Sequence, residues 1–232
     1  MTALDVLLVI LTIAAYGLAC AVARRYSHPL LQPVVLSAGL IALVLVTTGV
    51  SVAAYRPAEA ILARPLGPAT VALAVPIYNQ RARLRAVALS LVCGAVLGTL
   101  ASITVCVGLA ALSGLAPVVV HSLAMKSVTT AVAVELARLD GGDPALAAVF
   151  VVATASIGAA IGPWLLSRCR VEDPAARGIA LGTVAAAMGT AAAWREDELA
   201  GALGGLAIFV TALATTLLLP AYLPGLLWLA RP

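Results

Sequence analysis

Apolar runs long enough to cross a bilayer recur from one end of this chain to the other. Residues 4–23, 31–54, 86–112, 145–167 and 200–229 are mostly apolar, and about 20 apolar residues in a helix span a membrane's hydrocarbon core. Composition excludes the soluble alternative. Only 10% of the 232 residues are charged and 63% are hydrophobic, whereas soluble domains carry about 25% charged residues. A secretory signal peptide alone does not account for this pattern, because apolar segments continue to the C-terminus. The chain is expected to be an all-α, polytopic membrane protein embedded in a lipid bilayer.

The net charge of +4 comes from arginines clustered in short loops, as the positive-inside rule requires of cytoplasmic segments. It does not point to a nucleic-acid partner. Cys20, Cys93, Cys106 and Cys169 lack metal-ligand spacing, so no metal, disulfide or cofactor is expected. Enzymatic chemistry is not expected either. The chain has no His-Glu-X-X-His run, no paired intramembrane aspartates and no obvious serine–histidine spacing.

Two stretches interrupt the spans. Residues 57–80 hold Pro57, Pro65, Gly67, Pro68 and Pro76, and proline breaks helices. A short helix, a break near Arg64–Pro68 and a second half-helix from about Ala69 to Asn79 are predicted. Residues 114–138 begin with Gly114 and Pro117 and hold Lys126, giving a second broken segment whose latter half starts near Lys126. Asp143 is placed to cap the next helix at Pro144. Residues 175–193 read as a small-residue span dotted with glycine. Grouping Arg24, Arg25, Arg81, Arg83, Arg85, Arg168, Arg170 and Arg231 on one face requires 114–138 to re-enter rather than cross. The sequence leaves that choice open.

Lys126-Ser-Val-Thr-Thr130 is the most polar intrusion in an apolar region, and an intramembrane charge is costly enough to mark a functional site. It has an echo. Pro68-Ala-Thr-Val-Ala-Leu-Ala-Val75 aligns Thr70 with Thr129 of Ser127–Val134. Eight residues rich in Ala and Val match readily by chance, but both copies start half-helices in broken segments. Half-helix N-termini present free N–H groups and a positive dipole end, so two that meet form an anion cradle. Thr70, Lys126, Ser127, Thr129 and Thr130 are the candidate ligands for a small organic anion. Thr183 and Thr190, seven apart on one helix face, are further candidates, with small-residue packing as the alternative. His121 could carry a proton or simply hydrogen-bond within a loop. Lys126 could instead pair with Glu59, Asp5 or a lipid phosphate.

Leu66–Tyr78 with Gln80, then Lys126–Thr130, then Ala176–Thr183 with Gly189-Thr190, resemble the LrgB/CidB family over nearly the whole chain. The resemblance implies one LrgB-like transmembrane domain over 1–232, with scaffold-like spans 4–23 and 31–54 and core elements 57–80 and 114–138. It implies an inverted-repeat, elevator-type transporter of small monocarboxylates such as glycolate, glycerate, pyruvate or lactate. A homodimer, an LrgA/CidA-like membrane partner and a bacterial inner-membrane location also follow from it. The alternative reading in that family is an antiholin-like protein regulating murein hydrolases and cell lysis. Four positions depart from the family pattern. Met125 and Ala131 stand where prolines are usual, and Ala185-Ala186 replaces a Ser-His pair.

Overall fold

The structure, a computed structural model, describes residues 3–26, 33–65, 78 and 81–229. The elements among these residues are helices, several of them long and apolar enough to cross a membrane, and the chain is a multi-pass membrane protein. It forms two compact units, Met1–Val75 and Pro76–Pro232.

The first unit contains α1 (Ala3–Tyr26), α2 (Pro33–Thr48) and α3 (Val52–Ala63). α1 packs against both others, and the Thr12 hydroxyl meets the Tyr55 hydroxyl at 2.8 Å. The expected span 31–54 is not one helix. Gly49 adopts φ +69°, and the Val50 N–H turns back to the Leu45 carbonyl at 3.1 Å. This left-handed cap ends α2. Ser51 then starts α3, accepting the Ala54 N–H at 3.3 Å, so α3 begins before Pro57 and runs through it. The half-helix expected from Ala69 onward, with Thr70 and the first copy of the repeated motif, lies outside the described residues.

The second unit runs α4 (Arg81–Ala86), α5 (Ala88–Leu112), α6 (Pro117–Ala124), α7 (Thr130–Leu139), α8 (Pro144–Arg168), α9 (Pro174–Glu196) and α10 (Glu198–Leu229). Asp143 caps α8 as expected, accepting the Leu146 N–H at 2.8 Å.

α9 departs furthest from the sequence reading. It was expected to span as 175–193, but the chain reverses at Ala186, where φ is 44° and ψ −131°. Arg177 near its start bonds Glu196 at its end at 2.7 Å. Nineteen residues of straight helix would hold these two about 28 Å apart. Leu181 and Ala193 share a core with Ala200, and a Cβ on Gly189 would overlap the Leu181 carbonyl. α9 is therefore a helical hairpin with limbs 174–185 and 187–196. Each limb is about 15–18 Å long, half of a hydrocarbon core about 30 Å thick. Such a hairpin enters and leaves by the same face.

Three long helices frame it. Gly94 and Gly98 of α5 lie beside Ile179 and Thr183, so α5 runs parallel to the first limb. Gly158 and Gly162 of α8 lie beside Ala185 and Leu181, so α8 runs antiparallel to it. α10 follows the first limb with backbone in contact: a Cβ on Gly178 or Gly182 would overlap the carbonyl of Ala200 or Gly204. Beyond the α9 corner, the same three helices continue into another core. There Val107, Val151 and Leu219 pack with Met125, Val128 and Ala133 of the α6–α7 region.

Because α5 and α8 are antiparallel, residues 113–143 leave and return on one face, opposite the face from which α9 enters. Arg81, Arg85, Arg168, Arg170 and Arg195 belong to the α9 face. α10 starts on the α9 face and runs past the corner into the α6–α7 core through Leu219 and Leu223; Arg231 lies outside the described residues.

Candidate functional site

The two re-entrant segments end near the middle of the long helices. The midpoints of α5 and α8 fall at residues 100 and 156, and that of α10 between 213 and 214. On α5, Gly98 touches the α9 hairpin while Ser102, one turn on, touches the α6–α7 loop. On α8, Gly158 touches Ala185 and Val151 joins the α6–α7 core. On α10 the buried positions Ala200, Ala207, Thr211, Thr215, Leu219 and Leu223 follow one stripe. Its lower end meets α9 and its upper end meets the α6–α7 core. Thr211 and Thr215 occupy the interval between.

The α6–α7 loop, 125–129, is anchored by apolar side chains. Met125 and Val128 are buried in the core, which fixes Lys126 and Ser127 between them. The Lys126 ammonium donates to the Ser102 hydroxyl at 2.6 Å and to the Ser127 hydroxyl at 3.1 Å. The two hydroxyls lie 3.1 Å apart. An ammonium has three N–H donors, so one remains for a ligand. Cys106, one turn from Ser102 on α5, interacts electrostatically with Lys126. Arg138–Glu135 and Arg177–Glu196 form ion pairs, and neither involves Lys126.

Thr129 is the N-cap of α7, with extended backbone (φ −70°, ψ 150°) but no side-chain cap bond. The first-turn amides of α7 thus keep their donors, and the positive end of its dipole adjoins Lys126. Thr130 is exposed at the first helical position. α7 packs back along α8 through the Asp140–Asp143 turn, which aims its N-terminus at the α9 corner. Lys126, Ser127, Thr129 and Thr130 are thereby brought together.

Thr183 and Thr190 lie on opposite limbs of α9, both buried, and neither hydroxyl has a hydrogen-bond partner among the described residues. Their helical spacing of seven is interrupted by the reversal at Ala186. His121 is elsewhere. Its Nδ1 bonds the Asp140 carbonyl, while Ser122 accepts the Asp143 N–H at 2.8 Å, and together they latch α6 to the α7–α8 turn.

Sequence reasoning missed Ser102, Thr211, Thr215 and Arg177. The first three are hydroxyls near the centres of long apolar helices, a placement visible once helix midpoints are known. Arg177 closes the base of α9: beyond Glu196 it donates to the carbonyls of Val171 at 2.9 Å and Pro163 at 3.1 Å.

The comparisons agree with this architecture of a multi-pass membrane protein. The profile described as the LrgB-like family matches residues 12–224. A protein of Bacillus subtilis (strain 168), called uncharacterized protein YwbG, is 32% identical over 83% of this chain and 84% of its own length. Antiholin-like protein LrgB of Bacillus mycoides (strain KBAB4) is 33% identical over 68% of this chain and 69% of its own. The protein of the same name from Bacillus cereus (strain B4264) is equally similar. No solved structure matches the chain. A profile match over nearly the whole length, with relatives at this identity, makes the chain a member of the LrgB-like family.

Proposed function

We propose that this chain carries a small organic anion of the monocarboxylate class across the bacterial cytoplasmic membrane by alternating access, without catalysing a reaction. The observation that carries the reading is Lys126. A cation at bilayer centre costs roughly 2.5–3.5 kcal/mol or more, and here it donates to two hydroxyls beside a helix N-terminus, with no ion pair to it among the described residues of its unit. An anion taken from water would satisfy the ammonium and the α7 amides together. Ser102 and Ser127 accept from Lys126, one hydroxyl donates to the other, and the remaining O–H can donate onward to the anion. The arginine-rich α9 face is cytoplasmic on this reading. The second unit is the moving body of an elevator and the α1–α3 unit its scaffold, with a homodimer as the assembly. Glycolate, glycerate, pyruvate and lactate are the substrates to try first.

A second reading is favoured by the names of the Bacillus relatives. On it, this chain is antiholin-like, acts on murein hydrolase activity and cell lysis, and partners an LrgA/CidA-like membrane protein. Uptake of labelled carboxylates into proteoliposomes of the purified chain separates the two. Saturable uptake abolished by Lys126→Ala supports transport. Non-saturable leak of unrelated solutes, or no flux without a second membrane protein, favours the antiholin-like reading.

A further inference from the structure

The hydroxyls of Thr183, Thr190, Thr211 and Thr215 are buried without a partner among the described residues. A helical Thr or Ser often bonds the carbonyl four residues back. Thr99 and Thr104 on α5 and Thr216 on α10 take it at 2.7, 2.6 and 2.8 Å. The four hydroxyls that decline it lie on the α9 hairpin and on the α10 stripe that continues past its corner. At that corner the first limb ends, so its last-turn carbonyls have lost the amides that would follow in a continuous helix. Those carbonyls and the C-terminal dipole end sit at mid-membrane, the arrangement by which broken helices hold small cations.

The chemistry of the surroundings narrows the ligand. α5, α8, both α9 limbs short of Glu196, and α10 beyond Glu198 contain no acidic residue. Among the described residues no His, Cys, Asp and Glu cluster could hold a metal. A neutral set of hydroxyl and carbonyl oxygens does not compensate a divalent charge, and the soft thioether at the corner, Met188, already accepts the Ser156 hydroxyl at 3.6 Å. It suits a dehydrated monovalent cation. We propose that the α9 corner binds Na⁺, with Thr183, the carbonyls preceding Ala186 and the Thr211 hydroxyl as ligands. Thr215, one turn further along α10, extends the hydroxyl track toward the Lys126 layer. This deepens the transport reading by supplying a coupling ion: an anion lodged at Lys126 lies between two positive charges and screens one from the other, so each ligand raises the affinity for the other.

The test uses the purified full-length chain without any organic anion, at constant chloride, with NaCl replaced stepwise by KCl or choline chloride. The expected result is a saturable rise in melting temperature in Na⁺ and not in choline. Thr211→Val should weaken the apparent Na⁺ affinity at least tenfold. Thr211→Ser, which keeps the oxygen, and Thr216→Val, on the exposed side of α10, should leave it within twofold. Identical melting curves in the three salts would overturn the proposal, as would a saturable Na⁺ shift that survives both Thr183→Val and Thr211→Val. Lys126→Ala separates this site from the anion site. A Na⁺ shift retained in that variant while carboxylate uptake is lost supports two distinct sites. A Na⁺ shift lost in Lys126→Ala but kept in Thr211→Val would place the ion elsewhere and overturn the assignment.

Discussion

The sharpest test of the fold concerns Arg177 and Glu196, because two architectures predict opposite outcomes. In a straight 23-residue α9 the two side chains would sit about 28 Å apart and could not interact. In the hairpin they form a bidentate pair, Nε to Oε2 at 2.7 Å and an NH2 nitrogen to Oε1 at 2.8 Å. Their side chains are 13% and 28% exposed, so the pair lies between an exposed one, worth about 0–1 kcal/mol, and a buried one, whose breakage costs about 3–5 kcal/mol. About 2 kcal/mol for Arg177→Gln is the resulting expectation, since the carbonyls of Pro163 and Val171 also lose a donor. At about 2–4 °C per kcal/mol for a chain of this size, the melting temperature in detergent should fall by roughly 4–8 °C. Glu196→Gln should fall by slightly less. The double variant decides the matter, because removing both partners leaves no orphaned charge. It should melt near the worse single variant, a coupling of about 1–2 kcal/mol. Losses that add to within about 0.5 kcal/mol would mean that the ends of α9 are apart, and the hairpin, the facing corners and the site between them would fall together.

Four further outcomes follow from the same geometry. Lys126→Met should raise thermal stability by about 2 kcal/mol, because a charge leaves the bilayer centre, while abolishing anion binding; a loss of stability would show Lys126 to be a structural ion-pair member instead. Thr129→Val should weaken carboxylate binding about tenfold, the worth of one hydrogen bond to a charged group, with an unchanged melting curve, and unaltered affinity measured by isothermal titration would remove Thr129 from the site. Ala186→Gly should stabilise the apo chain by about 1 kcal/mol, because L-residues are strained at such positive φ, and thermal melts would register it. Gly182→Ala should cost about 2–3 kcal/mol by overpacking against the Gly204 backbone, whereas Gly205→Ala, whose added Cβ would meet nothing within 4 Å, should melt like the parent.

What was readable in the sequence follows from how local its cause is. Asp143 with Pro144 and the arginine-bounded α1 are local signals, and they hold. The 114–138 break announced itself through Gly114, Pro117 and a lysine in an apolar run. The α9 reversal had no such mark, because its corner is Ala185-Ala186, between two good helix formers. Only tertiary facts produce it: glycines at 178, 182 and 189 that let three backbones touch, and an arginine fork that joins the ends. Gly49 misled in the other direction. Within an apolar run it looked tolerable, yet it ends α2, and Ser51 restarts the chain. The site divides the same way. Lys126 stood out by charge alone, whereas Ser102, Thr211 and Thr215 matter because of depth, a coordinate that no local window contains.

The reversal in α9 also bears on how this protein is made. As the chain leaves the ribosome, residues 174–196 present the least apolar of the candidate spans among the described residues. The insertion machinery meets that segment before α10 exists to clasp it. If α9 were committed as a crossing, α10 would enter with inverted direction. Its Ala200 and Gly204 would then never reach Gly178 and Gly182. The final topology must therefore be chosen late, when α10 arrives. The weak hydropathy of α9 becomes an advantage, because it keeps the decision open until its partner is present. Raising that hydropathy, with Thr183 and Thr190 both changed to leucine, should trap a population with the C-terminus on the wrong side, which a protease-accessible C-terminal tag would count.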